Sequence, residues 1–159
     1  MKKTVIAIVL LALASPVIAL SQPAPTAPAK PTYAPGLGEF MTFTQARHAK
    51  LWLAGNANNW DLADYQLDEL KEGLDDAAKF VPNYKGMQVG SMIENIVMAP
   101  ISEVEQAIKA RDRNKFASAF DKLTQACNAC HQAASRPFIV IQRPINSAFP
   151  NQSFTAPRN

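Results

Sequence analysis

The chain has 159 residues, 48% of them hydrophobic, and its 16 Lys and Arg against 13 Asp and Glu give a net charge of +3. Two of the positive charges, Lys2 and Lys3, fall in an export leader, so the remainder carries +1 and the basic balance gives no support to nucleic-acid binding. Only two cysteines occur, Cys127 and Cys130, a count that suits an oxidising compartment. No Ser/His/Asp constellation or phosphate-binding loop points to hydrolytic catalysis.

Residues 1–19 are predicted to be a signal peptide. Lys2 and Lys3 form its charged start, Thr4 to Ala14 is an apolar stretch too short to span a bilayer, and Val17-Ile18-Ala19 places small residues for cleavage after Ala19. The expected location is the periplasm, with at most a peripheral membrane contact. Residues 20–37 follow as a Pro-rich linker, with prolines at 23, 25, 28, 31 and 35, a composition that favours extended, semi-rigid chain.

Residues 38–135 carry helical periodicity throughout, and the predicted fold class is all-α, an antiparallel four-helix bundle. In the first helix Met41, Thr44, His48, Leu51 and Trp52 recur at steps of three and four, and Gly55 with Asn56 to Asn59 stops it. The second has Trp60, Ala63, Leu67, Leu70, Leu74, Ala77 and Val81 as a bundle seam, with Asn59 as cap and Pro82 as stop. A loop through Asn83 to Gly86 leads to a third helix, broken near Ala99 by Pro100, in which Ser91 with Glu94 and Ser102 with Glu105 have the spacing of capping boxes. The fourth starts near Asp112 to Asn114 and carries Phe116, Phe120, Leu123 and Cys127 on one stripe, ending about Ala134.

That stripe runs into Cys127-Asn128-Ala129-Cys130-His131. C-x-x-C-H is the attachment signature for c-type haem: both thiols add to the porphyrin vinyl groups and the adjacent imidazole ligates iron. On a helix, positions i, i+3 and i+4 share one face, so the three side chains can meet one flat cofactor. A redox C-x-x-C motif belongs to a βαβ unit, and no strand pattern precedes Cys127. A zinc site wants four ligands where only His48 could join these three, and a Cys127–Cys130 disulfide would close a very small loop. His48, the other histidine, reads either as a hydrogen-bonded core residue or as the distal ligand or distal-pocket residue of such a haem.

After Ser135 periodicity is lost. Phe138-Ile139-Val140-Ile141 is a short strand-like apolar run between Pro137 and Pro144, and residues 136–159 are expected to form an irregular tail packed on the bundle or covered by a partner.

With the motif near the end of the last of four amphipathic helices, the chain resembles the class II c-type cytochromes, the cytochrome c-prime group of haem-bearing four-helix bundles. The likeness covers residues 38–135. It implies one haem c per chain, thioether links at Cys127 and Cys130, and His131 as proximal iron ligand. The stretch Arg47 to Gly55 also looks like one found in small exported cytochromes of this type. Two departures stand out. Arg136 lies five positions after His131 and a 23-residue tail follows it, and the first helix offers His48 and Met41 where five-coordinate members place an apolar side chain.

The function expected from these residues is that of an exported monohaem electron carrier, not an enzyme, working through Fe(III)/Fe(II) cycling with redox partner proteins, as monomer or homodimer. The alternatives are a haem protein that binds NO, CO or O2 at an open or displaceable sixth site, and an accessory haem subunit of a larger redox complex. Met41, Met87, Met92 and Met98 compete with His48 for the sixth position, although filling core gaps is the commoner role of methionine. Residues 61 to 76 hold seven acids and Lys71, whereas the chain from Lys109 onward holds eight basic residues and two acids. This separation would steer a charged partner, and ordinary surface patterning accounts for it equally.

Overall fold

The structure, a computed structural model, describes residues 33–157. The predicted signal peptide and most of the predicted linker lie outside the described residues. Among the described residues the fold is all-α, with five helices and one minimal hairpin: α1 Leu37–Asn56, α2 Trp60–Phe80, β1 Asn83–Tyr84, β2 Met87–Gln88, α3 Val89–Ile96, α4 Met98–Lys109 and α5 Arg113–Ala133.

Short connections set the neighbours. Ala57 to Asn59 joins α1 to α2, with Asn58 at φ 56° and the Asn59 side chain accepting from Leu62 N. A left-handed residue followed by a polar cap turns the chain back within three residues, so α1 and α2 pack antiparallel. Ala110 to Asp112 joins α4 to α5 in the same way, with Arg111 at φ 50° and the Asp112 carboxylate accepting from the Asn114 and Lys115 amides. Those donors, Lys115 first, hold the Asp112 carboxyl below its ordinary range.

The expected break in the third helix falls at Val97 and divides it into α3 and α4. Pro100 causes it, because the ring lacks an N–H and crowds the carbonyl four residues back, that of Ile96. The bonds on either side persist, Val97 N to Ile93 O at 2.8 Å and Ile101 N to Val97 O at 3.1 Å. Ser91 and Ser102 lie inside α3 and α4, so neither expected capping box forms. Gln88 and Val97 stand at those helix starts instead, since Pro100 sits in the first turn of α4, where its missing donor has no intrahelical partner to lose.

The stripes read from the sequence are the buried ones. Leu51, Leu67, Leu70, Ile101, Val104, Phe116, Phe120 and Leu123 are essentially inaccessible. Towards the α1–α2 turn the interior is filled by aromatic rings, with Trp52, Trp60 and Phe120 all within 6.1 Å of Phe116 or of one another. Gly55, buried in the last turn of α1, is required here, since a Cβ at that position would sit inside the Phe116 ring. Arg47 ties α1 to α2 through Glu69, with 2.8 Å contacts to its carbonyl and its carboxylate.

One segment differs from expectation. Asn83 to Gly86, expected as a loop, belongs to a two-strand hairpin pairing Asn83 with Gln88 and Tyr84 with Met87. Lys85 at φ 49° and Gly86 at φ 84° form its two-residue turn, and positive φ at both positions matches the natural twist of a hairpin. The run Phe138 to Ile141 forms no strand, as expected of an irregular tail. Phe138 and Val140 are the most exposed of the four, while Ile139, 43% exposed, and Ile141 border the cavity.

Candidate functional site

At the end of the molecule away from the aromatic cluster, the helices enclose a cavity of about 300 Å³, in the range of small-molecule and cofactor sites. Its wall is built from the start of α1 (Leu37, Met41, His48), the end of α2 (Leu70, Leu74), the hairpin (Tyr84, Met87), α3 (Met92, Ile93), the end of α5 and the tail residues Ile139 and Ile141. Cys127, Cys130 and His131 all face this cavity, and His48 faces it from the opposing helix. Every residue singled out from the sequence as a site residue therefore borders one apolar space. Met41, Met87 and Met92 are also in its wall, and Met98 is packed against the core instead.

The cysteines are free thiols. Burial pushes Cys127 up to about 12, with the neighbouring Cys130 adding to the effect, and burial also raises Cys130. A redox C-x-x-C pair needs a thiol pushed the other way, into the thiolate range. Among the described residues no three His, Cys, Asp or Glu side chains converge on a point that could hold a metal ion. Separated sulfurs along the wall of an apolar slot suit attachment to the rim of a flat group better than coordination of a bare ion.

The two imidazoles are held differently. His131 Nδ1 lies 2.9 Å from the carbonyl oxygen of Ile139. A carbonyl only accepts, so Nδ1 carries the proton and Nε2 is the nitrogen with a free lone pair. Such a backbone bond on the far nitrogen is the usual support of a metal-ligating histidine. His48, 3% exposed, bonds through Nε2 to Thr124 Oγ1 at 3.0 Å. The Thr124 hydroxyl is itself committed to Phe120 O at 2.9 Å, so His48 Nε2 is the donor and Nδ1 the acceptor. Its ring also packs on Phe120, with centroids 4.4 Å apart. Burial lowers its pKa to about 4, leaving a neutral ring near pH 7.

The tail completes the site; its packing on the helices was expected, and the side chains that hold it there were not. Asn128, between the two cysteines, donates to Ile141 O at 2.9 Å and accepts from Ile141 N at 2.7 Å, as a strand partner would. Arg136 N bonds His131 O at 2.7 Å, and the Arg136 guanidinium reaches Tyr84 Oη at 3.1 Å. Farther on, Arg143 donates to Ala117 O and Asp121 and lies over the Trp52 ring at 4.2 Å. The tail thus runs back along α5, antiparallel to it, and bridges to α1. Only the alternation of Phe138 to Ile141 hinted at this in the sequence, and nothing marked Asn128, Thr124 or Tyr84.

Comparison of the chain with protein-family models, with curated proteins and with solved structures returns no match. Among the described residues no helix is long and apolar enough to cross a membrane.

Proposed function

We propose that this chain is an exported monohaem c-type cytochrome whose role is electron transfer, with α3 and α4 counting as one interrupted helix of a four-helix bundle. The observation that carries the proposal is the shared apolar cavity. Cys127, Cys130 and His131 face it together from one helix, and the His131 proton is already placed on Nδ1, away from the lone pair that iron needs. The group expected there is haem c, one per chain, and it would supply a one-electron Fe(III)/Fe(II) couple.

The protein's own contributions are those of an apolar holder. Cys127 and Cys130 would supply the thioether positions and His131 the proximal ligand. Leu70, Leu74, Val89 and Ile93 line the site with apolar surface, which lowers the dielectric around a bound group, and the axial ligands would dominate its potential. A redox partner protein is then the partner in solution.

A second proposal, binding of a diatomic gas at the sixth position, is favoured by the bond from His48 Nε2 to Thr124. It holds the distal imidazole back as a pocket residue rather than committing it to iron. The two functions separate spectroscopically. A pyridine haemochrome and whole-protein mass establish attachment, and the expected result is one haem lost in the Cys127→Ser/Cys130→Ser double variant. Reduced protein indifferent to carbon monoxide supports the carrier, whereas a shifted spectrum supports the gas binder. Retention of no haem by the wild-type protein would sink both.

A further inference from the structure

The chain beyond the attachment motif is long, and its first contacts are made with the motif itself. The Ile139 carbonyl takes the His131 Nδ1 proton at 2.9 Å. That carbonyl is fixed from both sides. Upstream, Arg136 N is anchored to His131 O at 2.7 Å and Ile139 N to Arg136 O at 3.0 Å. Downstream, Ile141 is held by both of its backbone polar groups on the single side chain of Asn128. Asn128 lies between the two cysteines, one turn before His131, so one helical turn carries the thiols, the imidazole and the clamp that positions the imidazole's partner.

We propose that residues 136–141 are a positioning strap, in which Asn128 fixes Ile141 and thereby holds the Ile139 carbonyl on His131, setting the orientation and electron donation of that imidazole towards iron. The inference rests on the haem reading above and deepens it by assigning roles to Asn128, Ile139 and Ile141, none of which touches iron. A carbonyl accepting from Nδ1–H fixes the tautomer and raises the basicity of the other ring nitrogen. A more basic ligand favours ferric over ferrous iron, so loosening the strap raises the reduction potential. Asn128 is therefore a positioning residue acting through the tail backbone, in contrast to a surface cap, which would leave the potential unmoved.

The test uses Asn128→Ala and Asn128→Asp in the full chain, with three readouts. The first is amide hydrogen exchange at Ile141, which does not depend on haem. It is expected to quicken about tenfold or more in Asn128→Ala, as loss of one net hydrogen bond implies. The second is the reduction potential of the haem-loaded protein, expected to move positive in Asn128→Ala and by less in Asn128→Asp, which keeps the acceptor for Ile141 N and loses the donor. The third is the exchangeable His131 Nδ1 proton by NMR, expected to exchange faster in the same order. An Ile141 amide as protected in Asn128→Ala as in wild type overturns the clamp. A freed Ile141 amide with unchanged potential and unchanged Nδ1 proton overturns the link to His131. Wild-type protein that carries no haem overturns the function proposed above, while the Ile141 arm still reports on the clamp alone.

Discussion

His48 stands where the packed interior gives way to the cavity, with Phe120 under its ring and the Thr124 hydroxyl taking its proton. Burial sets its charge state. With the folded pKa near 4 against an ordinary 6.5, the unfolded chain binds a proton first on acidification. The stability gained from a neutral ring is complete above pH 6.5 and is lost as pH falls from 6.5 towards 4, by at most about 1.4 kcal/mol per pH unit. Denaturation midpoints followed between pH 7 and 5 should fall for the wild type and fall less steeply for His48→Gln; parallel curves would count against this account. Iron ligation by His48 would keep the same sign, since the bound ring also resists protonation. The sequence put His48 on an apolar stripe and left its role open between core and ligand. Its hydrogen-bond partner, 76 positions away, has no signature that spacing could expose.

At the scale of the elements, periodicity was informative where burial follows the helix. The seam from Ala63 to Ala77 and the stripe through Phe116, Phe120 and Leu123 are buried as their spacing required. It was silent where backbone conformation decides. The hairpin turn depends on a positive φ at Lys85, a residue type with no preference for it; the break in the third helix was legible from Pro100, and only its position at Val97 was not. The tail's packing was expected but its path was not: its extended backbone is satisfied by side chains of a helix, Asn128 above all, rather than by a neighbouring strand. Gly55 shows how tightly two helices are matched. Replacing it by Ala should cost about 1–3 kcal/mol through overpacking, because Phe116 is fully buried and has nowhere to move. A lowered melting temperature is the expected outcome, and an unchanged melting temperature would show that α1 and α5 can slide apart there.

Among the described residues the packed aromatic interior and the apolar cavity lie apart along the helices. A cavity of about 300 Å³ walled by Leu, Ile, Val and Met is a large void for a domain of this size, and filling it with an apolar group is worth several kcal/mol on the usual cost of cavities. The Cys127→Ser/Cys130→Ser variant should therefore melt well below the loaded protein and bind a hydrophobic dye at neutral pH, and equal stability of the two would mean that the void is not a cofactor site. The charge separation read from the sequence is muted in the fold. Of the basic residues from Lys109 onward, Lys109, Arg111, Lys115, Lys122 and Arg143 each lie within ion-pair distance of an acid, and Asp61 of the acidic stretch is one of those partners. Exposed pairs of this kind add little stability, but they leave a weaker field to steer a partner.

The strap over the cavity also orders events in time. Residues 136–141 leave the ribosome after the other described residues that border the cavity, and they form the extended part of its wall, outside the helices and the hairpin. The haem proposed for this protein would meet a wider slot before these residues lie down and a narrower one afterwards. On that proposal, loading would precede sealing, with residues 136–141 the last part of the wall to arrive.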